Sequence, residues 1–373
     1  FPTKGSASVI SERMITGSPN PRKVLKYPAM AWRRPPMAWY PLLIIGTLLS
    51  VRLGLRAEAR MVIPLVDGQA LYGQDSDDDY DAPPQVEGIQ SSGGGPKTFQ
   101  RIHKTGGYRA ATYGFQNFNK DKLEVSYQIP EKDFRPYNES FGYTKEGLAE
   151  VKAWRETATK SAFNLAVKQG KSQAQLNTAV AAVEKEYDQR VKDYLSSHGF
   201  RMMKGNTVTV DMPGLVRKNS ALIKPLSLAF EKIASTRKYR SGDIIGSVLS
   251  FVQTAMYYKQ PDPVYKEKHT GGVLPPITAV LVGWGDCDTK TGLLGSILSN
   301  WAQMKMVGVG VPGHYLMGVL LIPEKGDLFL EYQGLQYVLV EPAGPAWLPP
   351  GQVGEETMQL LNGREGYKIE PFY

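Results

Sequence analysis

The sequence predicts an α+β fold, with helices and strands segregated along the chain rather than alternating. Three observations carry that expectation. Apolar residues recur every three or four positions from Leu148 to Tyr194, apolar and polar residues alternate from Lys122 to Pro130, and strand-like segments follow one another after His314. The 373 residues exceed the usual size of one domain, and 42% apolar with 21% charged content is ordinary for a globular chain.

Residues 1–59 read as a leader carrying an export signal. The pair Arg33-Arg34 precedes an apolar run from Ala38 to Val51, and Ala57-Glu58-Ala59 has the small-x-small form of a cleavage site. The run is short for a spanning helix, so the expectation is a periplasmic or secreted protein without stable membrane insertion after leader removal; an uncleaved segment acting as anchor is the alternative. Residues 1–60 hold ten basic and two acidic residues, which equals the whole-chain surplus of +8. The remainder is electrically balanced, which argues against a nucleic-acid partner.

Residues 60–98 are acidic and then rich in Pro and Gly, the composition of a solvated linker. Asp75, Asp77 and Asp79 alternate as calcium ligands could, yet no glycine or distal Glu follows in EF-hand register, so a tether is the better reading. Residues 99–238 form a helix-rich N-terminal region that starts with a strand at Lys122–Pro130. Thr144 is placed to cap a helix that stops near Gly170, and Ser172-x-x-Gln175 has the form of a capping box for a second. The two should fold as an antiparallel hairpin, whose stripe is packing surface or a dock for a protein partner. A short strand at Thr207–Val210 follows. From Ser241 to Tyr258, residues Ile244, Ile245, Val248, Val252 and Met256 fall on one face of a single helix.

The chemistry is concentrated in residues 239–373. Cys287 is the one cysteine, and the segment GWGDCDTKTGLLGSILSNW runs from a glycine-rich turn into an apolar helix. A cysteine at a helix N-terminus faces unpaired N–H groups and the positive end of the helix dipole, which favour a thiolate; Asp286 and Asp288 oppose it, unless one of them caps the helix. His314 opens an apolar strand, and Glu341 ends a later strand pair formed by Asp327–Tyr332, a turn at Gln333-Gly334, and Leu335–Glu341. These three residues suit a Cys-His-acid site, with Cys287 as nucleophile, His314 as base and Glu341 accepting the ring N–H at Nδ1. One Cys and four His without ligand spacing give no metal site, and no cofactor is expected. Gly308-x-Gly310-x-x-Gly313 fits the dinucleotide fingerprint in letters only, because it leads into a strand and contains Pro312. Trp284, Trp301 and Trp347 could line a groove or pack beneath loops.

GDCDTKTGLL, PGHYLMGV and YVLVEPAGPAW resemble the Cys, His and acid motifs of the transglutaminase-like superfamily, and SFVQTAMYY is similar to the helix that precedes the cysteine loop in its bacterial members. The resemblance covers residues 240–355. It implies a papain-like core and a cysteine peptidase or amidase working through a thioester on a protein or peptide of the cell envelope. Superfamily members more often carry Asp where Glu341 stands. Gln253 and the backbone N–H of Cys287 are the expected oxyanion donors. A transamidase with an amine acceptor, or a non-catalytic envelope scaffold keeping a degenerate site, are the competing readings.

Overall fold

The computed structural model describes residues 98–373; the leader, the export signal and the acidic tether lie outside the described residues. The chain is a mixed α/β molecule. Leu123, Val125, Tyr127 and Ile129 are buried on one face of β3 (Lys122–Pro130), as alternation requires. Two further strands precede it, β1 (Phe99–Thr105) and β2 (Tyr108–Gln116), completing an antiparallel meander. They lie outside the elements expected from sequence. β1 buries only Gln100 fully, so it has no apolar rhythm, and its signal is the Gly106-Gly107 turn, where both residues have positive φ (53° and 79°) as a tight hairpin demands.

After α1 (Glu131–Ser140) come α2 (Lys145–Lys168) and α3 (Gln173–Ser197). The Thr144 hydroxyl accepts the Gly147 N–H at 3.0 Å, and Ser172 and Gln175 form the reciprocal capping box. Only Ala166, Val191 and Leu195 are fully buried in this pair, so the helices pack mainly on each other, tied by Arg155 to Glu184 at 2.9 Å. The hairpin β4 (Phe200–Met202) and β5 (Val208–Val210) leads to α4 (Met212–Leu222), capped by Asp211, and α5 (Lys224–Arg237).

The single helix expected from Ser241 to Tyr258 is interrupted. α6 spans Ser241–Ser250, a π-helical turn occupies Phe251–Ala255, and the chain then extends into β6 (Tyr257–Tyr258). Gln253 gives the reason, since within the π turn its amide is fully engaged by two distant backbone segments, as described below.

Next come β7 (Val264–Tyr265), β8 (Lys268–His269), α7 (Pro276–Val282), β9 (Trp284–Gly285) and α8 (Cys287–Leu298). The sheet strands β10 (Met306–Val311), β11 (His314–Leu320), β12 (Phe329–Tyr332) and β13 (Leu335–Val340) follow, then α9 (Glu355–Leu361) and β14 (Lys368–Pro371). They form an antiparallel sheet of order β12-β13-β11-β10-β14.

Helix α8 is the central element: every residue except Asp288 is buried, and it packs against α4, α7 and β11. A single apolar cluster runs from Tyr113 and Val125 through Val248, Leu293 and Ile297 to Val340 and Phe372. The hydroxyls of Tyr113 and Tyr127 both donate to the carbonyl of Val280, at 2.8 and 2.7 Å. The boundary drawn in sequence at 238/239 therefore runs through a shared interior.

Candidate active site

Asp286 is the N-cap of α8, its carboxylate accepting the Thr289 N–H at 3.1 Å, which puts Cys287 at the first helical position. The thiol donates to Oδ1 of Asp288 at 3.6 Å, and the backbone N–H groups of Tyr315 and Asp288 point at the sulfur. Cys287 thus lies against the backbone at the start of β11, at Tyr315, the residue that follows His314. Burial, reinforced by the charges of Asp288 and Asp286, pushes the thiol up from its ordinary range, and the two N–H groups do not compensate. From sequence, the helix N-terminus favours the thiolate and the two aspartates oppose it. Enclosure of this N-terminus adds to the two carboxylates and decides the balance against the thiolate.

His314 opens β11 after the turn at Pro312-Gly313, where Gly313 has φ +71°. Its Nε2–H donates to Glu341 Oε1 at 2.9 Å and Oε2 at 3.1 Å. The sheet explains the meeting: Met317 pairs with Val340, so one step further Glu341 stands across from Leu316, on the face His314 shares. The carboxylate therefore engages Nε2 rather than the Nδ1 expected from sequence, leaving Nδ1 for other work. Glu341 is 4% exposed, and the Thr357 hydroxyl of α9 donates to its Oε2 at 2.7 Å, so its orientation is fixed from two sides. Burial lowers the His314 pKa, but the hydrogen bond and charge of Glu341, with the charges of Asp288 and Asp286, outweigh it and the net direction is upward.

Gln253 is not placed as an oxyanion donor. Its Nε2 donates to the carbonyls of Glu341 (2.7 Å) and Leu348 (3.0 Å), and its Oε1 accepts the Leu348 N–H (3.1 Å). Both amide hydrogens are spent holding the chain on either side of the Glu341 turn. Gly344 lies within that turn, where an added Cβ would come within 2.2 Å of the Gln253 carbonyl oxygen, so only glycine fits.

Three further residues near the site have no role readable in the sequence, and a fourth, Asp288, has more than one. Thr357 is separated from Glu341 by a loop and carries no local signal. Lys290, one turn beyond Cys287, is completely buried, with Nζ donating to the Met256 carbonyl at 2.9 Å; burial pulls its pKa down to about 7, only partly opposed by Asp286. A lone lysine among the apolar and small residues of α8 was its visible mark. Tyr258 pairs with Gly285 in the short parallel contact that precedes Cys287, and its ring centroid lies 5.9 Å from Lys290 Nζ. Burial, then the charges of Cys287 and Asp286, push its hydroxyl up to about 12, although the residue is 43% exposed. Asp288, which the sequence offers as a charge opposing the thiolate or as the helix cap that Asp286 in fact provides, is raised to about 6 by burial and by Asp286.

The three tryptophans have separate surroundings: Lys259 lies over Trp284 at 4.6 Å, Trp347 stacks on Phe118 at 5.7 Å, and Trp301 packs at the margin of the apolar cluster. Gly308 and Gly310 lie in β10 and Gly313 in a hairpin turn, a strand-turn-strand context unlike a dinucleotide site. Among the described residues, no group of three or more His, Cys, Asp or Glu has metal-binding geometry, and no helix is long and apolar enough to cross a membrane. Comparison with family models, with curated proteins and with solved structures gave no match.

Proposed function

We propose that the protein is an exported cysteine hydrolase of the transglutaminase-like, papain-like type, a peptidase or amidase acting on a protein or peptide of the cell envelope. The observation that carries this reading is the His314 to Glu341 pair, fixed by Thr357, at the strand start whose Tyr315 N–H meets the sulfur of a cysteine in the first turn of a buried helix. In the resting arrangement the thiol rests on Asp288. For reaction the Sγ proton passes to Nδ1 of His314, whose Nε2–H stays on Glu341; the carboxylate holds the ring's tautomer and stabilises the imidazolium. The sulfur then adds to the substrate's amide carbonyl. The backbone N–H of Cys287, at a helix position with no intrahelical acceptor, supports the oxyanion, and the Tyr258 hydroxyl is the second donor we assign. His314 returns its proton to the leaving amine, and water, deprotonated by the same nitrogen, releases the acid from the thioester. An amine in place of water makes the protein a transamidase.

One observation favours a second reading, a scaffold with a degenerate site: burial and two aspartates hold Cys287 as a thiol. Iodoacetamide labelling separates the two. If His314 takes the thiol proton, His314→Ala slows Cys287 alkylation at pH 7 by tenfold or more; equal, slow labelling of both proteins supports the scaffold.

A further inference from the structure

A cavity of about 250 Å³ lies between α1, the β7–β8 turn and α7, and the reaction proposed above does not use it. Its apolar wall comes from Phe134, Phe141, Leu281 and Val282, all buried. Its charged wall is unbalanced. Arg109, Arg135, Lys266 and Lys268 line it against two carboxylates, Glu131 and Glu139. Glu131 is already surrounded by three cations, with Lys104 at 3.1 Å, Arg135 at 3.0 Å and Arg109 at 3.5 Å, and this crowding, led by the hydrogen bond from Lys104, holds its carboxyl below the ordinary range. Arg109 Nε, out of contact with solvent, has only that long 3.5 Å ion pair to Glu131 Oε1 and no hydrogen bond of good geometry. An enclosed donor paired only at that distance gains from a better-placed acceptor.

We propose that this cavity binds a small amphiphilic anion, its acidic head on the Arg109, Arg135 and Lys266 side and its apolar body against Phe134, Phe141 and Leu281. Size limits the class. Pockets for drug-sized ligands start at about 300 Å³, so the occupant is a short acyl or alkyl chain rather than a large cofactor. Charge sets the head, since the lining carries an excess of two positive charges. One wall is shared with the candidate active site through α7, which continues by Gly283 and β9 into Asp286 and Cys287.

Titration calorimetry on the purified protein tests this, with octanoate, octyl phosphate and octan-1-ol as probes. At least one of the two anions should bind one to one and at least tenfold more tightly than the alcohol, and their order names the preferred head. Arg135 and Lys266 are exposed, so Arg135→Met and Lys266→Met should leave the fold intact, as thermal melts will verify, while together weakening the anion tenfold or more. The proposal is overturned if neither anion binds, if anion and alcohol bind alike, or if the paired substitution leaves anion binding unchanged in a folded protein.

Discussion

Asp288 holds the thiol of Cys287 and also repels the thiolate that the proposed chemistry needs. The sign of its effect can be read from its own titration. Its carboxyl is pushed up to about 6, so above that pH it is charged and disfavours the thiolate, and below it is neutral and does not. Asp288→Asn removes the charge and keeps the shape. It should therefore speed iodoacetamide labelling of Cys287 at pH 7.5 by roughly tenfold, the size of a modest like-charge effect, while the two proteins converge below pH 6. Identical rates across the range would take Asp288 out of the control of the sulfur. Asp286 is unsuited to the same experiment, because its side chain also caps α8 and its loss costs about 1 kcal/mol of helix stability.

Helix α8 carries both the nucleophile and a charge that folding must bury. Lys290 is wholly enclosed and titrates at about 7, far below an ordinary lysine near 10.4. The unfolded chain binds that proton more strongly than the folded one, so the penalty is full below pH 7, on the order of 5 kcal/mol, and fades as pH rises toward 10. Lys290→Met, similar in length and without charge, should raise the thermal midpoint at pH 7, with an advantage that shrinks as the pH approaches 10. A gap independent of pH would mean that Lys290 is buried without titrating. The same helix illustrates what a sequence discloses. Its start at Cys287 was legible from the glycine turn and the cap, as was the helical hairpin from Thr144, Ser172 and Gln175, because capping is local chemistry. The π turn at Phe251–Ala255 was not, since it depends on what Gln253 meets at Glu341 and Leu348, nearly a hundred residues away. β1 was hidden for a related reason: its stability comes from pairing with β2 rather than from a buried apolar face. The balance at the sulfur, helix end against two aspartates, was not legible because enclosure of a helix end is a tertiary property.

Across the whole molecule, the strands near the N-terminus and the helix of the site are held by one interior. Tyr113 and Tyr127 donate to Val280, Ser227 donates to the Ile297 carbonyl at 3.1 Å, and the Asn219 side chain accepts the Ile277 N–H at 3.1 Å. A fragment of residues 239–373 would leave those groups and the apolar face of α8 unpaired, so it should lack a cooperative melt, whereas residues 98–373 should unfold in one transition. A cooperative melt of the fragment would show that the C-terminal region is self-sufficient. That shared interior fixes the relative positions of α8, β11 and the Glu341 turn, on which the proposed acyl transfer depends. Single-turnover acylation by a p-nitrophenyl ester, followed by intact mass and peptide mapping, tests this most directly because it needs no knowledge of the natural substrate. The account predicts a single acyl group on Cys287, none in Cys287→Ser, and acylation slowed by two to four powers of ten in His314→Ala and Glu341→Gln. Acylation of Cys287 at the same rate in all three proteins that retain the thiol would contradict it.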